Sequence, residues 1–156
     1  MAQIRDVIGP VTLEQLKNHL HMFTNDFDDA LELNLRAAVA KAESFINGRI
    51  WHGTISESVP FRNTITVDPS AQITSVKVDG TDVNFTLSNG VIQVDGQGKL
   101  LQYTATVGYT VQDCPVDIQM AILLIAAKFF NNPVDSVENL PSVSQNLLHP
   151  YRNYCI

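Results

Sequence analysis

Apolar residues recur at helical spacing in the first third of the chain, alternate with polar ones in the middle, and crowd together near the end. Leu13, Leu16 and Leu20 share one face of a first helix. Thr12 is placed to cap it, and Gln15, three residues on, completes a capping box. A second helix is predicted to start after Asn25-Asp26 and to run to about Asn47, with Gly48 placed to terminate it. Leu31, Leu35, Ala38, Ala42, Phe45 and Ile46 form its apolar stripe, and the small Ala38 and Ala42 would let a neighbouring helix come close. Glu32, Arg36, Ala40 and Glu43 fall opposite, with Glu32 and Arg36 spaced for an i,i+4 ion pair.

Between Trp51 and Thr110 the period shortens to two. Val83, Phe85 and Leu87 alternate with Asp82, Asn84 and Thr86; Leu101, Tyr103, Ala105, Val107 and Tyr109 alternate with Gln102, Thr104, Thr106 and Gly108. Such alternation marks half-buried strands, and Asp79-Gly80, Asn89-Gly90 and Asp95-Gly96 read as hairpin-type turns between them. The middle of the chain is thus a small antiparallel β unit set between helical segments, with no internal repeat and no low-complexity linker.

A third helix starts near Asp113 to Pro115 and ends near Asn131-Asn132-Pro133. Its polar residues are Asp117, Gln119 and Lys128, so it has almost no solvated face. Two readings stand open: the second helix and the β unit bury it within the monomer, or one face meets another subunit. Asp117, Ala121, Leu124 and Lys128 share a stripe and are the subunit-contact candidates. After a loop to Pro141, Ser142 to Leu148 forms one or two turns before His149-Pro150 breaks them. The predicted fold class is α+β: a small antiparallel bundle of about four helices, from residues 1–50 and 112–156, with an antiparallel β unit at 51–110 inserted between the second and third helices. Together they make a single domain over 1–156.

Composition narrows the function. Of 156 residues 45% are apolar and 17% charged, which suits a folded chain with a real core. The net charge is −6 and the 10 Lys and Arg are scattered singly, a poor basis for gripping a phosphate backbone. MAQIRDVIGP lacks the basic-then-apolar layout of a signal peptide, and the apolar run Met120 to Ala127 is far below the roughly 20 residues that cross a bilayer. A cytoplasmic product with no membrane partner is expected, and Cys114 and Cys155 are read as reduced thiols.

Catalytic chemistry finds little support. His19 and His21, two apart, point to different faces of a helix, while His52 and His149 are isolated, so no metal set forms. Asp26, Asp28, Asp29 and Glu32 lack the glycine and closing glutamate of a calcium loop; acids there suit the positive end of the helix dipole. Gly96 and Gly98 sit in a turn without the strand-to-helix context of a nucleotide loop, and neither serine nor cysteine has an assignable base. No catalytic residue, metal or cofactor is predicted.

The order of segments is more telling. VTLEQLKNHLH, the acidic NDFDDALE and the Ala-rich helix ending FINGRIW are followed, after the β unit, by YTATVGYT, CPVDIQMAILLIAAKFFNN and LLHPYR. In that order and spacing, over nearly the whole chain, they resemble the head–tail connector (adaptor) proteins of long-tailed bacteriophages and prophages. The chain departs from the family's pattern at YTATVGYT, which is longer than the usual strand, and at Phe129-Phe130-Asn131-Asn132, where charged residues are common. The resemblance implies a virion structural protein: a ring, typically dodecameric, below the portal protein, extending the DNA channel and offering a surface to a tail or stopper protein. It also implies that the C-terminal segment reaches the portal, which nominates Leu147, Leu148, Pro150, Tyr151, Arg152 and Tyr154; aromatic and Arg residues are frequent interface anchors. For Leu147 and Leu148, packing on the protein's own helices is the competing use. DNA would pass without specific binding, its adhesion discouraged by acids on the outer face of the second helix and in the β turns.

Two alternatives remain, one within the same structural class and one outside it. Another neck or tail-completion component would share most of these features. A small ligand- or carbohydrate-binding module would rest on Trp51, Phe61, Phe85, Tyr103 and Tyr109, although strand alternation assigns most of these to a core. Removing Asn146 to Ile156 is the expected discriminator: an adaptor would keep its fold and lose the portal, whereas a binding module would keep its ligand.

Overall fold

The computed structural model describes residues 10–132 and 140–154. The chain divides into two compact units, one formed by the chain up to Trp51 together with the chain from Tyr109, the other by His52–Gly108. The fold class is α+β, with four α-helices and seven strands among the described residues.

The first unit is helical. Helix α1, Leu13–His19, begins with the predicted capping box: the Gln15 amide donates to Thr12 Oγ1 (3.2 Å) and the Thr12 amide donates to Gln15 Oε1 (2.8 Å). Helix α2 spans Asp28–Ile46. It ends one residue earlier than the glycine suggests, because Asn47 itself takes the left-handed conformation (φ 57°) and the amides of Asn47 and Gly48 both donate to the Glu43 carbonyl. Helix α3, Val116–Asn131, and helix α4, Ser142–Leu148, follow the β unit, and a 3-10 turn at His149–Tyr151 continues from α4. Proline at positions 115 and 141 precedes each of these helices; neither start has a side-chain cap. Asp113, near the expected start of α3, closes the turn before it: Thr110 Oγ1 donates to its carboxylate (2.8 Å) and accepts from its amide (3.2 Å).

Leu31, Leu35, Ala38, Ala42 and Ile46 are buried as the stripe requires, joined by Val39, against Ile118, Ala121, Ile122, Ile125 and Ala126 of α3. Leu16, Leu140 and Leu148 complete this core. The two chain passages that lead to and from the β unit lie together, Trp51 bridging Tyr109 and the Tyr109 amide donating to the Ile50 carbonyl at 3.0 Å.

The second unit is all β. One sheet has the order β1-β7-β3-β4 (Gly53–Pro60, Leu100–Val107, Gln72–Val78, Thr81–Asp82), the other β2-β6-β5 (Thr64–Thr66, Val91–Val94, Phe85–Ser88), and every pairing is antiparallel. Strand β7 sits between β1 and β3, and its alternation is strict: Leu101, Tyr103, Ala105 and Val107 are buried with Val76, Ile92, Val94 and Val67 in one core. Asp79-Gly80 and Asn89-Gly90 have positive φ at both residues and make two-residue hairpins, β3–β4 and β5–β6. Gly90 is needed there, since a Cβ would come 3.0 Å from the Val67 carbonyl, which lies beside the Val67 amide's bond to Gly90 O (2.7 Å). Asp95-Gly96 is not a hairpin turn: β6 and β7 belong to different sheets, and the segment between them carries the chain across. The alternating run 82–87 also divides, its start ending β4 and its end forming β5 in the other sheet.

Candidate functional site

The C-terminal segment closes back on the end of α2. The Asn153 amide donates to the Ile46 carbonyl at 2.8 Å, the Asn153 side chain donates to the Asn47 carbonyl (3.3 Å), and the Asn47 side chain reaches the Asn153 carbonyl (3.5 Å). The exposed carbonyls left at the helix end thus find donors from a segment 106 residues away. Arg152 lies over the Phe45 ring (5.1 Å to the centroid) and near the Tyr154 ring (5.5 Å), while Tyr154 Oη and His149 Nε2 are 3.1 Å apart. A guanidinium between two aromatic rings is held without losing its charge to a carboxylate.

The nominated residues separate by exposure. Leu148 is wholly buried in the helical core, and Leu147 and Tyr151 pack partly against it. Pro150 and Arg152 are exposed and Tyr154 is 68% exposed. Burial, then the charge of Asp117, pushes the Tyr151 phenol above its ordinary value, so it stays a neutral donor. Of the α3 stripe, Ala121 is fully buried; its carbonyl accepts from Ser144 Oγ (3.5 Å), which ties α4 down. Asp117 is exposed, while Leu124 and Lys128 are half-buried. The accessible apolar line on α3 lies instead through Val116 (73% exposed), Met120 and Ala127.

Two of the acids expected on the outer face of α2 are engaged within the protein. Glu32 is paired with Arg36 at 2.7 Å, and Glu43 Oε1 accepts from the amides of Ile50 (2.9 Å) and Trp51 (2.8 Å). What α2 exposes is Asp29 and Lys41 together with Ala30, Leu33, Ala37, Ala40 and Ser44. Periodicity places Glu43 on α2 but does not reveal its partners, which lie beyond the helix. At the start of α2, Lys17 Nζ pairs with Asp28 (2.9 Å) and donates to Asn25 Oδ1 (2.6 Å), so a lysine supplies the positive charge that the acidic cluster attracts. Among the described residues no group of three or more His, Cys, Asp or Glu is gathered as a metal would need, and no helix is long and apolar enough to cross a membrane.

The aromatics that would have made a ligand platform are divided between two cores. Trp51 and Tyr109 pack on the helical one; Phe61, Phe85 and Tyr103 belong to the β unit. Tyr103 donates to Glu57 Oε2 at 2.7 Å, and burial together with that carboxylate raises its pKa to about 12. Cys114 is a buried free thiol, pushed by burial to about 12.

No family model matches the chain, and no curated protein is significantly similar to it. Solved structures are. A chain from the neck of the empty gene transfer agent (GTA) particle, with C6 symmetry, has a TM-score of 0.76 at 18% identity over 94% of this chain and 91% of its own. A chain from the neck of the native GTA particle, with C12 symmetry, has a TM-score of 0.74 at 20% identity over 92% and 89%. One from the virion of the native particle has 0.73 at 20% over 94% and 91%. Helices, inserted β unit and closing segment together are therefore one fold, shared across nearly the full length of those chains.

Proposed function

We propose that this protein is a structural component of the neck of a phage-like particle, a head–tail adaptor that acts as a single connector domain. The observation that carries the proposal is the whole-length likeness to chains from GTA particle necks. The segment order of the adaptor family in the sequence supports it independently. On this reading copies close into a ring, dodecameric when complete, beneath the portal protein; the ring prolongs the DNA channel and receives a tail or stopper protein. The protein performs no catalysis and needs no cofactor. It is made in the bacterial cytoplasm and resides in the virion neck.

The portal-facing surface is the closing segment: Arg152 and Tyr154, with the accessible parts of Leu147, Pro150 and Tyr151. Leu148 contributes from beneath by fixing α4. DNA passes without specific binding, with exposed acids such as Asp95 of the β unit available to repel it. Mixing the protein with its cognate portal and imaging by electron microscopy tests the proposal. A ring of density added to the portal is expected; a portal that binds none of it overturns the reading.

A further inference from the structure

A ring built head to tail needs two different surfaces on each copy, because a face that mates with itself closes only a pair. Among the described residues, the helical unit has two exposed apolar helix faces of unlike relief. The face of α2 turned away from its buried stripe is low: Ala30, Leu33, Ala37, Ala40 and Ser44. The corresponding face of α3 stands higher, with exposed Val116 and Met120 beside half-buried Leu123, Leu124 and Ala127. Each helix buries its opposite side in the shared core, so neither outer face serves the interior. Small residues on one helix admit the larger side chains of another at close range.

The flanking charges choose an orientation. On α2 the exposed base Lys41 lies near the C-terminal end. On α3 the exposed acid Asp117 lies in the first turn. Parallel mating would set Asp117 by the acidic first turn of α2, whereas antiparallel mating brings Asp117 to Lys41 on the same flank of the contact, and also opposes the helix dipoles. We infer that the occupant of these faces is a second copy of this chain: α3 of one subunit lies antiparallel on the outer face of α2 of the next, with Met120 against the Ala37–Ala40 surface and Asp117 beside Lys41.

This inference rests on the neck reading, and its test separates the two. Rings formed on the portal are compared for the wild-type chain and for the exposed-site variants Lys41→Glu, Asp117→Lys and the double variant, each first checked for native circular dichroism. Either single reversal is expected to lower ring occupancy at least tenfold, and the double reversal to restore it, since every contact then opposes the two altered residues. In parallel, Ala37→Glu blocks the α2 face and Met120→Glu the α3 face. Each alone should stay unassembled, and an equal mixture should stop at pairs because one sound face remains on each partner. Wild-type rings with unaffected variants, or a double reversal that stays as impaired as the singles, overturn the interface alone. A wild-type chain that never joins the portal overturns the neck reading and the interface with it.

Discussion

Glu43 shows how far a single side chain can act outside the element that carries it. Its carboxylate caps two backbone amides at the point where α2 gives way to the β unit, and buried or half-buried amides without an acceptor are costly. Glu43→Ala is expected to lower stability by about 2 kcal/mol, and Glu43→Gln, which keeps an oxygen acceptor, by about half that, in urea titrations. Helical spacing placed Glu43 correctly on α2 but not its task, because periodicity describes relations within a helix and its partners lie seven and eight residues on. Cys114 is the opposite case. The sequence left it an ordinary thiol at a helix start, and the fold holds it buried and protonated. A native Cys155→Ser protein, leaving one thiol, should resist a disulfide reagent at pH 8 and react at once in denaturant. The sign for stability follows. An unfolded thiol ionises near about 8.5, so the contribution is whole below that and falls as pH rises toward 12. Rapid labelling of the native protein would contradict this burial.

At the level of elements, the turn chemistry was legible wherever a two-residue turn joined two strands of one sheet, as at Asp79-Gly80 and Asn89-Gly90. It was not legible between sheets. Alternation over residues 82–87 is unbroken in the sequence although the chain leaves one sheet and enters another, since both sheets face the same core and period two does not tell which one a side chain lines. The end of α2 was likewise misjudged by one residue. Glycine is the usual left-handed terminator, but Asn47 tolerates that conformation and gains bonds to Asn153. Asn47→Ala should destabilise by about 1–2 kcal/mol, from the left-handed backbone, while Asn47→Gly should remain near wild type by the same urea measurement. Equal losses in both variants would assign the effect to the Asn153 contact and not to the backbone.

For the whole molecule, the order of segments was visible in the sequence, and so was the insertion of the β unit between helices, because each change of period coincides with a change of element. The division of the closing segment into anchor and accessible surface was not visible: Leu147 and Leu148 are adjacent and chemically alike, and only the packed fold buries the second completely. That division alters the deletion experiment. Removing residues 146–156 takes Leu148 out of the core, and losing a single buried leucine side chain already costs about 2–5 kcal/mol against a total stability of about 5–15. Such a protein should lose cooperative unfolding and near-ultraviolet circular dichroism, so its failure to bind a portal would carry no meaning. Removing residues 152–156 spares Leu148 and α4, giving up the Asn153 bonds and the Arg152 stacking. This shorter deletion should unfold cooperatively at a slightly lower urea midpoint yet fail to join the portal, as should Tyr154→Ala in weaker form. If the shorter deletion binds as well as the intact chain, the portal contact lies elsewhere on the molecule and the clasp at Asn47 serves stability alone.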